Sequence, residues 1–346
     1  MGKKNIYFRP NISTNIKNFP KYISKIDIYN ESLFELYLIR NPSVKRSNFS
    51  LKKYESFVNE VSLAKTYVYY PWRNLIIATL PEQEYFELRT ARNRNLILNI
   101  NQKAYRNMNV GIIGLSIGSA SAFFLATSGG AKNMKLADPD TVEISNLNRM
   151  HSSLIDVGQN KALVVARKIW EIDPYTNIEV YENKIDRDNL NKFISQTPSL
   201  DIVVDAMDDL PMKIILREFC KKKHIPVLMA TSNGNRIILD IERFDLNSNL
   251  PIFQGRIGNN PKDFTFNTYD EWLQLANKIV DKRILSKEMK KTIKEIGSSI
   301  AGVPQLSTTV NLGGIAISNI IKDISSDKNC HQSGRYIIKI GQTSSR

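Results

Sequence analysis

Hydrophobic and polar positions follow two different rhythms along this 346-residue chain. Up to about residue 107 the apolar stretches are short, notably Leu33 to Leu38 and Tyr67 to Leu80, and are broken by Asn, Pro and Ser. The β-rich Asn74-Leu-Ile-Ile-Ala-Thr-Leu80, directly behind Tyr67-Val-Tyr-Tyr-Pro-Trp72, predicts a strand with neighbours packed into a core. A competing reading uses the same aromatic rings as flat faces for unpaired bases. The region predicts a small α+β accessory domain over residues 1–88.

From about residue 108 strands and helices are expected to alternate. Strands are predicted near Val110 to Ile113, Met134 to Ala137, Ile178 to Tyr181, Ile202 to Ala206 and Val227 to Ala230. Helices are predicted between them near Ile117 to Ser128, Lys161 to Ile172, Arg187 to Ile194 and Met212 to Lys223. Such alternation needs crossover helices, which cover both faces of a parallel sheet. The fold class is therefore α/β, a doubly wound Rossmann-like, mostly parallel sheet.

Composition narrows the setting. With 42% apolar residues the chain is too hydrophobic for a disordered tail, and its two cysteines cannot build a disulfide framework or a four-thiolate zinc cage. The start, Met1 to Ile6, carries charge with no apolar stretch behind it, so no secretory signal is readable there. The 25 uncharged residues between Arg106 and Lys132 could span a bilayer by length, but their Gly, Ser and Asn spacing suits a strand–turn–helix better. A soluble, cytoplasmic protein in a reducing compartment is expected.

The formal charge of +14 is uneven: Met1 to Asn107 holds 18 Lys and Arg against 8 Asp and Glu, hence +10 of it. Such an excess either attracts a polyanion, nucleic acid included, or is simply a solvated lysine-rich surface.

The candidate chemistry begins after the first strand of the alternating region. Gly114, Ser116, Gly118 and Ser119 form a turn that opens a helix, where free backbone N–H groups can approach a phosphate. Asp138 follows 20 residues beyond Gly118, at a place where an acid commonly accepts from ribose hydroxyls. A nicotinamide dehydrogenase uses the same devices. Two cations then set the chain apart: Asp138-Pro-Asp140 through Asn146-Leu-Asn148 ends in Arg149, and Gly158-Gln-Asn leads to Lys161. A triphosphate bears about four charges and gains from such cations more than a dinucleotide pyrophosphate does. Of the carboxylates closing the fourth strand, Asp208 is assigned to magnesium and Asp209, before Pro211, to capping the next helix.

Together GLSIGS, LADPDTVEISNLNR, GQNK and DAMDD make the chain resemble the ThiF/MoeB/E1-like superfamily of ATP-dependent adenylating enzymes, over about residues 89–325. The resemblance implies an adenylation domain over 89–346, with a nucleotide-binding core near 108–240 and a crossover and C-terminal part near 241–346. It implies that a carboxylate, often the C-terminal glycine of a ubiquitin-like protein, attacks the ATP α-phosphate with loss of pyrophosphate. Carried over residue by residue, Asp138 holds the ribose, Asn146 and Arg149 the phosphates, Lys161 the α-phosphate region and Asp208 the magnesium. Arg94, within Arg92-Asn-Arg94-Asn-Leu-Ile97, matches the arginine finger that in relatives reaches the partner subunit's ATP, so a homodimer is implied. Ala301 to Ile321 resembles the family's C-terminal apolar helix, with Gly313 and Gly314 allowing close approach in the core or across a dimer.

The pattern also breaks. The two Cys-x-x-Cys pairs of zinc-bearing members are missing, and Arg243 to Ile300 holds no cysteine for a thioester. Cys220 reads as a buried structural thiol and Cys330 as a loop residue. His151 follows Arg149 and is read as an exposed polar residue. The expectation is an adenylyltransferase that uses Mg-ATP on a peptide, protein or small-molecule carboxylate, without a thioester. A tRNA-modifying dehydratase of the threonylcarbamoyladenosine type remains as an alternative, favoured by the basic N-terminal region. An NAD-dependent oxidoreductase or non-catalytic nucleotide-binding protein remains as a second.

Overall fold

Side chains that alternate between inside and outside build the first sheet. In the computed structural model, which describes residues 9–258, 269–327 and 329–339, contacts group Met1–Asn99 with Trp170–Tyr175 in one unit and Ile100–Ile169 with Thr176–Arg346 in another. In the first unit β1 (Asn11–Ser13), β2 (Ser24–Asp27), β3 (Thr66–Tyr70) and β4 (Leu75–Thr79) are ordered β1-β3-β4-β2. Thr66, Val68 and Tyr70 point inward along β3, and Ile76 and Ala78 along β4. β3 and β4 form an antiparallel pair whose connection closes on Asn74 at a φ of 48°, a conformation Asn tolerates.

Helices α1 (Tyr29–Arg40), α2 (Leu51–Val61) and α3 (Glu82–Arg89) complete this unit. Leu33 and Leu36 of α1 share a core with Leu80, Phe57 and Val58. The aromatic cluster joins the unit's own packing: Tyr70 is buried, and the Trp72 indole N–H donates to Glu171 at 2.6 Å. The strand reading of Tyr67 to Leu80 is thus the one the fold uses.

The second unit begins with α4 (Asn99–Arg106) and carries a seven-stranded sheet. Its strands are β5 (Asn109–Ile113), β6 (Asn133–Ala137), β7 (Asn177–Tyr181), β8 (Ile202–Asp205), β9 (Val227–Asn233), β10 (Arg236–Glu242) and β11 (Gly334–Lys339). The order is β11-β10-β9-β8-β5-β6-β7. β7 to β9 across the centre run parallel, whereas β10 and β11 are antiparallel. Val110, Ile112, Val203 and Val204 are buried, each stabilising by about 1.5–3 kcal/mol relative to exposure.

Helices α5 (Gly118–Thr127), α6 (Lys161–Ile172), α7 (Leu190–Ser195) and α8 (Leu210–Lys222) supply the crossovers. The stretch between Arg106 and Lys132 folds as β5 and α5, and no helix among the described residues is long and apolar enough to cross a membrane. Beyond β10, the crossover part holds α9 (Tyr269–Val280) and α10 (Lys287–Glu295), before α11 (Ser307–Ser326).

α11 packs against α5 within the core. A Cβ on Gly314 would lie 2.6 Å from the Ala120 carbonyl carbon, so only glycine allows the two backbones this close. Tyr105 secures the same layer, its hydroxyl 2.8 Å from Ser318 Oγ. The chain crosses from β5 to β6 and β7 on one side and then returns past β5 to β8 on the other, so the strand order reverses at β5. A ligand crevice is expected outside the carboxyl ends of the strands at that point.

Candidate nucleotide site

The loop leaving β5 owes its shape to one glycine. Gly114 has a φ of 88°, and a Cβ there would meet the Ala206 carbonyl oxygen at 2.4 Å. The loop therefore runs directly against the segment that follows β8. Its amides are anchored in turn: Gly114 N–H donates to Ala137 O at 2.8 Å, and Leu115 N–H to Asp138 Oδ2 at 2.6 Å. Ser119 is buried and donates to Ser116 O at 2.8 Å. α5 starts at Gly118 without a side-chain cap from Ile117, which puts the positive end of the helix at this loop, where an anion is favoured.

Asp138 holds this arrangement together. Its other oxygen accepts from the Asp140 amide at 2.9 Å, and burial pushes the carboxyl above its ordinary pKa. Each carboxylate oxygen keeps a second lone pair with which to accept from a hydroxyl.

Lys161 is set by a short antiparallel ribbon. Val142 N–H donates to Gln159 O, Gly158 N–H to Val142 O and Lys161 N–H to Asp140 O, each at 2.8 Å. Its ammonium lies 2.9 Å from Asp140 Oδ2, with the lysine side chain 10% exposed and the aspartate 67% exposed. A buried cation thus has a partner that water, or a ligand anion, can replace. Asn160 was not singled out in the sequence, yet it starts α6: its Oδ1 accepts from Ala162 N–H at 2.9 Å and Leu163 N–H at 3.1 Å. An Asn just before a helix is the signal that could have found it.

Arg149 folds onto the loop. Its Nε donates to Ser116 Oγ at 3.0 Å, and its NH1 to Ser145 O and Asn148 Oδ1 at 3.0 and 2.9 Å. Burial lowers its pKa, but a guanidinium stays charged. Asn146 is buried, its Oδ1 accepting from the Glu143 amide, which fixes the turn that Arg149 leaves.

Asp208 is exposed on the segment after β8, which the Ala206 N–H ties to Ile113 O at 2.8 Å. Asp209 caps α8, accepting from Met212 N–H at 2.9 Å, as its place before Pro211 suggests. Among the described residues no group of three or more His, Cys, Asp or Glu could hold a metal. One exposed carboxylate beside a phosphate loop still fits magnesium, which takes one or two carboxylates together with phosphate oxygens.

The structure thus gathers Gly114, Ser116, Gly118, Ser119, Asp138, Asp140, Asn146, Arg149 and Lys161 around one loop. Arg94 belongs to the first unit, exposed after a turn whose Ala91 O accepts its amide. His151 differs from expectation: it is half-buried, stacked on Phe123 with centroids 3.9 Å apart, and 2.8 Å from Asn311 Oδ1. Cys220 is fully buried and burial raises its pKa, so it is an inert thiol as read. Two clefts of 630 and 580 Å³ lie around His224, at the amino edge of the parallel strands and away from the loop.

Comparison with known proteins agrees with this geometry. Residues 90–239 match the ThiF family model. An uncharacterized protein of Mycobacterium tuberculosis is 35% identical over 263 residues, 75% of this chain but 36% of that protein, so the chain spans about a third of that relative's length. The tRNA threonylcarbamoyladenosine dehydratase of Bacillus subtilis is 27% identical over 68% of this chain and 95% of its own. The Haemophilus influenzae molybdopterin-synthase adenylyltransferase is 34% identical over 38% of this chain and 51% of its own. Among solved structures, the Escherichia coli tRNA threonylcarbamoyladenosine dehydratase TcdA superposes with a TM-score of 0.50 at 20% identity, over 71% of this chain and 97% of that one, a likeness of fold. From the matched core and its relatives, residues 90–239 of this chain form a ThiF-family domain, similar in sequence to a molybdopterin-synthase adenylyltransferase and a tRNA threonylcarbamoyladenosine dehydratase.

Proposed function

We propose that the chain is an ATP-dependent adenylyltransferase that activates a carboxylate as an acyl adenylate and forms no enzyme thioester. The carboxylate belongs to a peptide or protein C-terminus of a ubiquitin-like, sulfur-carrier or modified-peptide pathway. The observation that carries this reading is the pair of cations beside the loop that follows β5, Arg149 bonded to Ser116 and Lys161 paired with Asp140.

In the reaction a carboxylate oxygen attacks the ATP α-phosphorus. The bond from that phosphorus to the α–β bridging oxygen breaks, its electron pair leaves with pyrophosphate, and the acyl–AMP anhydride remains. Asp138 receives the ribose hydroxyls, and the Gly114–Ser119 loop with Arg149 and Asn146 receives the phosphates. Lys161 exchanges Asp140 for the α-phosphate region, beside the bridging oxygen on which charge builds up as pyrophosphate departs. Magnesium, held by Asp208, would neutralise phosphate charge. The proposal includes a cytoplasmic homodimer in which Arg94 completes the second copy's site.

The test is ATP–pyrophosphate exchange against a panel of peptide and protein C-termini. Exchange that depends on the carboxylate and vanishes in Asp208→Ala supports the reading, and full exchange in that variant refutes the assignment of Asp208. A tRNA-modifying activity is favoured by one observation, the alignment along 95% of the Bacillus subtilis dehydratase. Binding to total tRNA that weakens steeply with salt would select it. A thermal shift with NAD and none with Mg-ATP would select a dehydrogenase.

A further inference from the structure

Beneath the Asp208 segment runs a row of charge that the adenylation reading does not use. Asp205, at the end of β8, is 0% exposed. Its Oδ1 accepts from Lys213 Nζ at 2.9 Å and from the Met207 amide at 3.2 Å, and its Oδ2 from Arg217 NH1 at 2.5 Å. Arg217 is equally buried and donates through Nε to Glu242 Oε2 at 2.5 Å, with its guanidinium 3.9 Å from the Phe253 ring centroid. Glu242 Oε1 accepts from the Phe253 amide at 2.6 Å. Two anions and two cations balance, but taking four charges out of water is costly, and an apolar set of similar volume commonly packs as well. Stability alone does not account for them.

Their geometry does. Two successive amides lead from β8 to Asp208, and both are pinned: Ala206 N–H by Ile113 O, and Met207 N–H by Asp205. The atom that pins Met207, Asp205 Oδ1, is the one Lys213 holds. Asp208 itself is exposed, so its place is set by the backbone that precedes it.

We infer that Lys213 and Arg217 are positioning residues that, by clamping Asp205, fix the Met207 amide and so aim the Asp208 carboxylate at the metal-bound phosphates. The inference rests on the assignment of Asp208 to magnesium. Lys213 touches neither ATP nor metal; it acts through a hydrogen-bonded chain behind the ligand, as outer partners of metal ligands do.

The test is a titration of the full-length protein with Mn²⁺ in place of Mg²⁺, in the presence of ATP, read by electron paramagnetic resonance. ATP binding without metal and the melting temperature are measured alongside. Lys213→Met is expected to weaken Mn²⁺ binding about 10–100-fold with metal-free ATP binding unchanged, and Lys213→Arg to restore it. Should Lys213→Met fail to fold, Lys213→Gln, neutral but still a donor, takes its place with the same expectation. Wild-type Mn²⁺ affinity in the neutral variant, or equal losses in the neutral and Arg variants, overturns the inference. Asp208→Asn separates the two levels. If it abolishes Mn²⁺ binding while Lys213→Met leaves it intact, only the positioning role falls; if it has no effect, the metal assignment falls first.

Discussion

Two sets of cations in the second unit face opposite fates. Around the β5 loop, Arg149 and Lys161 hold partners that are a hydroxyl, a carbonyl, an amide oxygen and an aspartate 67% exposed to water. Under α8, Lys213 and Arg217 are locked to carboxylates that are at most 3% exposed. The first set can exchange its partners for a ligand without leaving a charge stranded. The second cannot, because releasing a buried carboxylate costs its full desolvation. Identical residue types thus serve as a ligand grip in one place and as scaffold in the other, and exposure of the partner decides which.

The largest effect should come from the scaffold. Arg217→Met leaves the buried Glu242 without its paired cation and Asp205 with Lys213 alone, and urea unfolding should show a loss of about 3–5 kcal/mol. A loss under about 1 kcal/mol would erase the contrast. Arg149→Ala should do the reverse: exchange falls about 100–1000-fold, as for loss of one preorganised donor, while stability changes by less than about 1 kcal/mol. Strong destabilisation with intact catalysis would place Arg149 in the scaffold.

Packing without charge provides an intermediate. Gly314→Ala forces a methyl group to within 2.6 Å of the Ala120 backbone, and chemical denaturation should register about 1–3 kcal/mol. The smallest effect belongs to a surface pair, the half-buried Asp281 and the exposed Arg283 at 2.9 Å. The hydrogen bond from Arg283 holds the Asp281 carboxyl down to about 2. Its folded pKa lies below the ordinary aspartate value of 3.8, so its contribution is present above that value and is lost as pH falls toward about 2. Asp281→Asn should cost less than about 1 kcal/mol at neutral pH, and nothing once the acid is protonated.

This contrast also explains what the sequence could carry. The central strands and α6, Lys161–Ile172, are legible because their periodicity is local: buried runs of Val and Ile alternate with amphipathic helices. Gly114 and Asp209 are legible because a turn and a cap each demand particular residue types. β10 is not legible, since Asp240 and Glu242 interrupt its apolar run and become compatible with burial through Arg335 and Arg256 on the first and Arg217 on the second, all distant in sequence. For the same reason Asp205, Asp208 and Asp209 look alike as letters. The fold makes the first a buried anchor, the second an exposed ligand candidate and the third a helix cap. His151 was misread because its stacking partner, Phe123, lies on another element.

The claim on which the rest depends is attack at the α-phosphorus of ATP gripped by Arg149, Lys161 and Asp208. The most direct measurement is isotope transfer, using a carboxylate that supports exchange, labelled with ¹⁸O in both oxygens, and mass spectrometry of the products once the acyl adenylate is cleaved. One label in AMP, with pyrophosphate unlabelled, is the predicted result. Label in inorganic phosphate, or unlabelled AMP despite consumption of ATP, would contradict it.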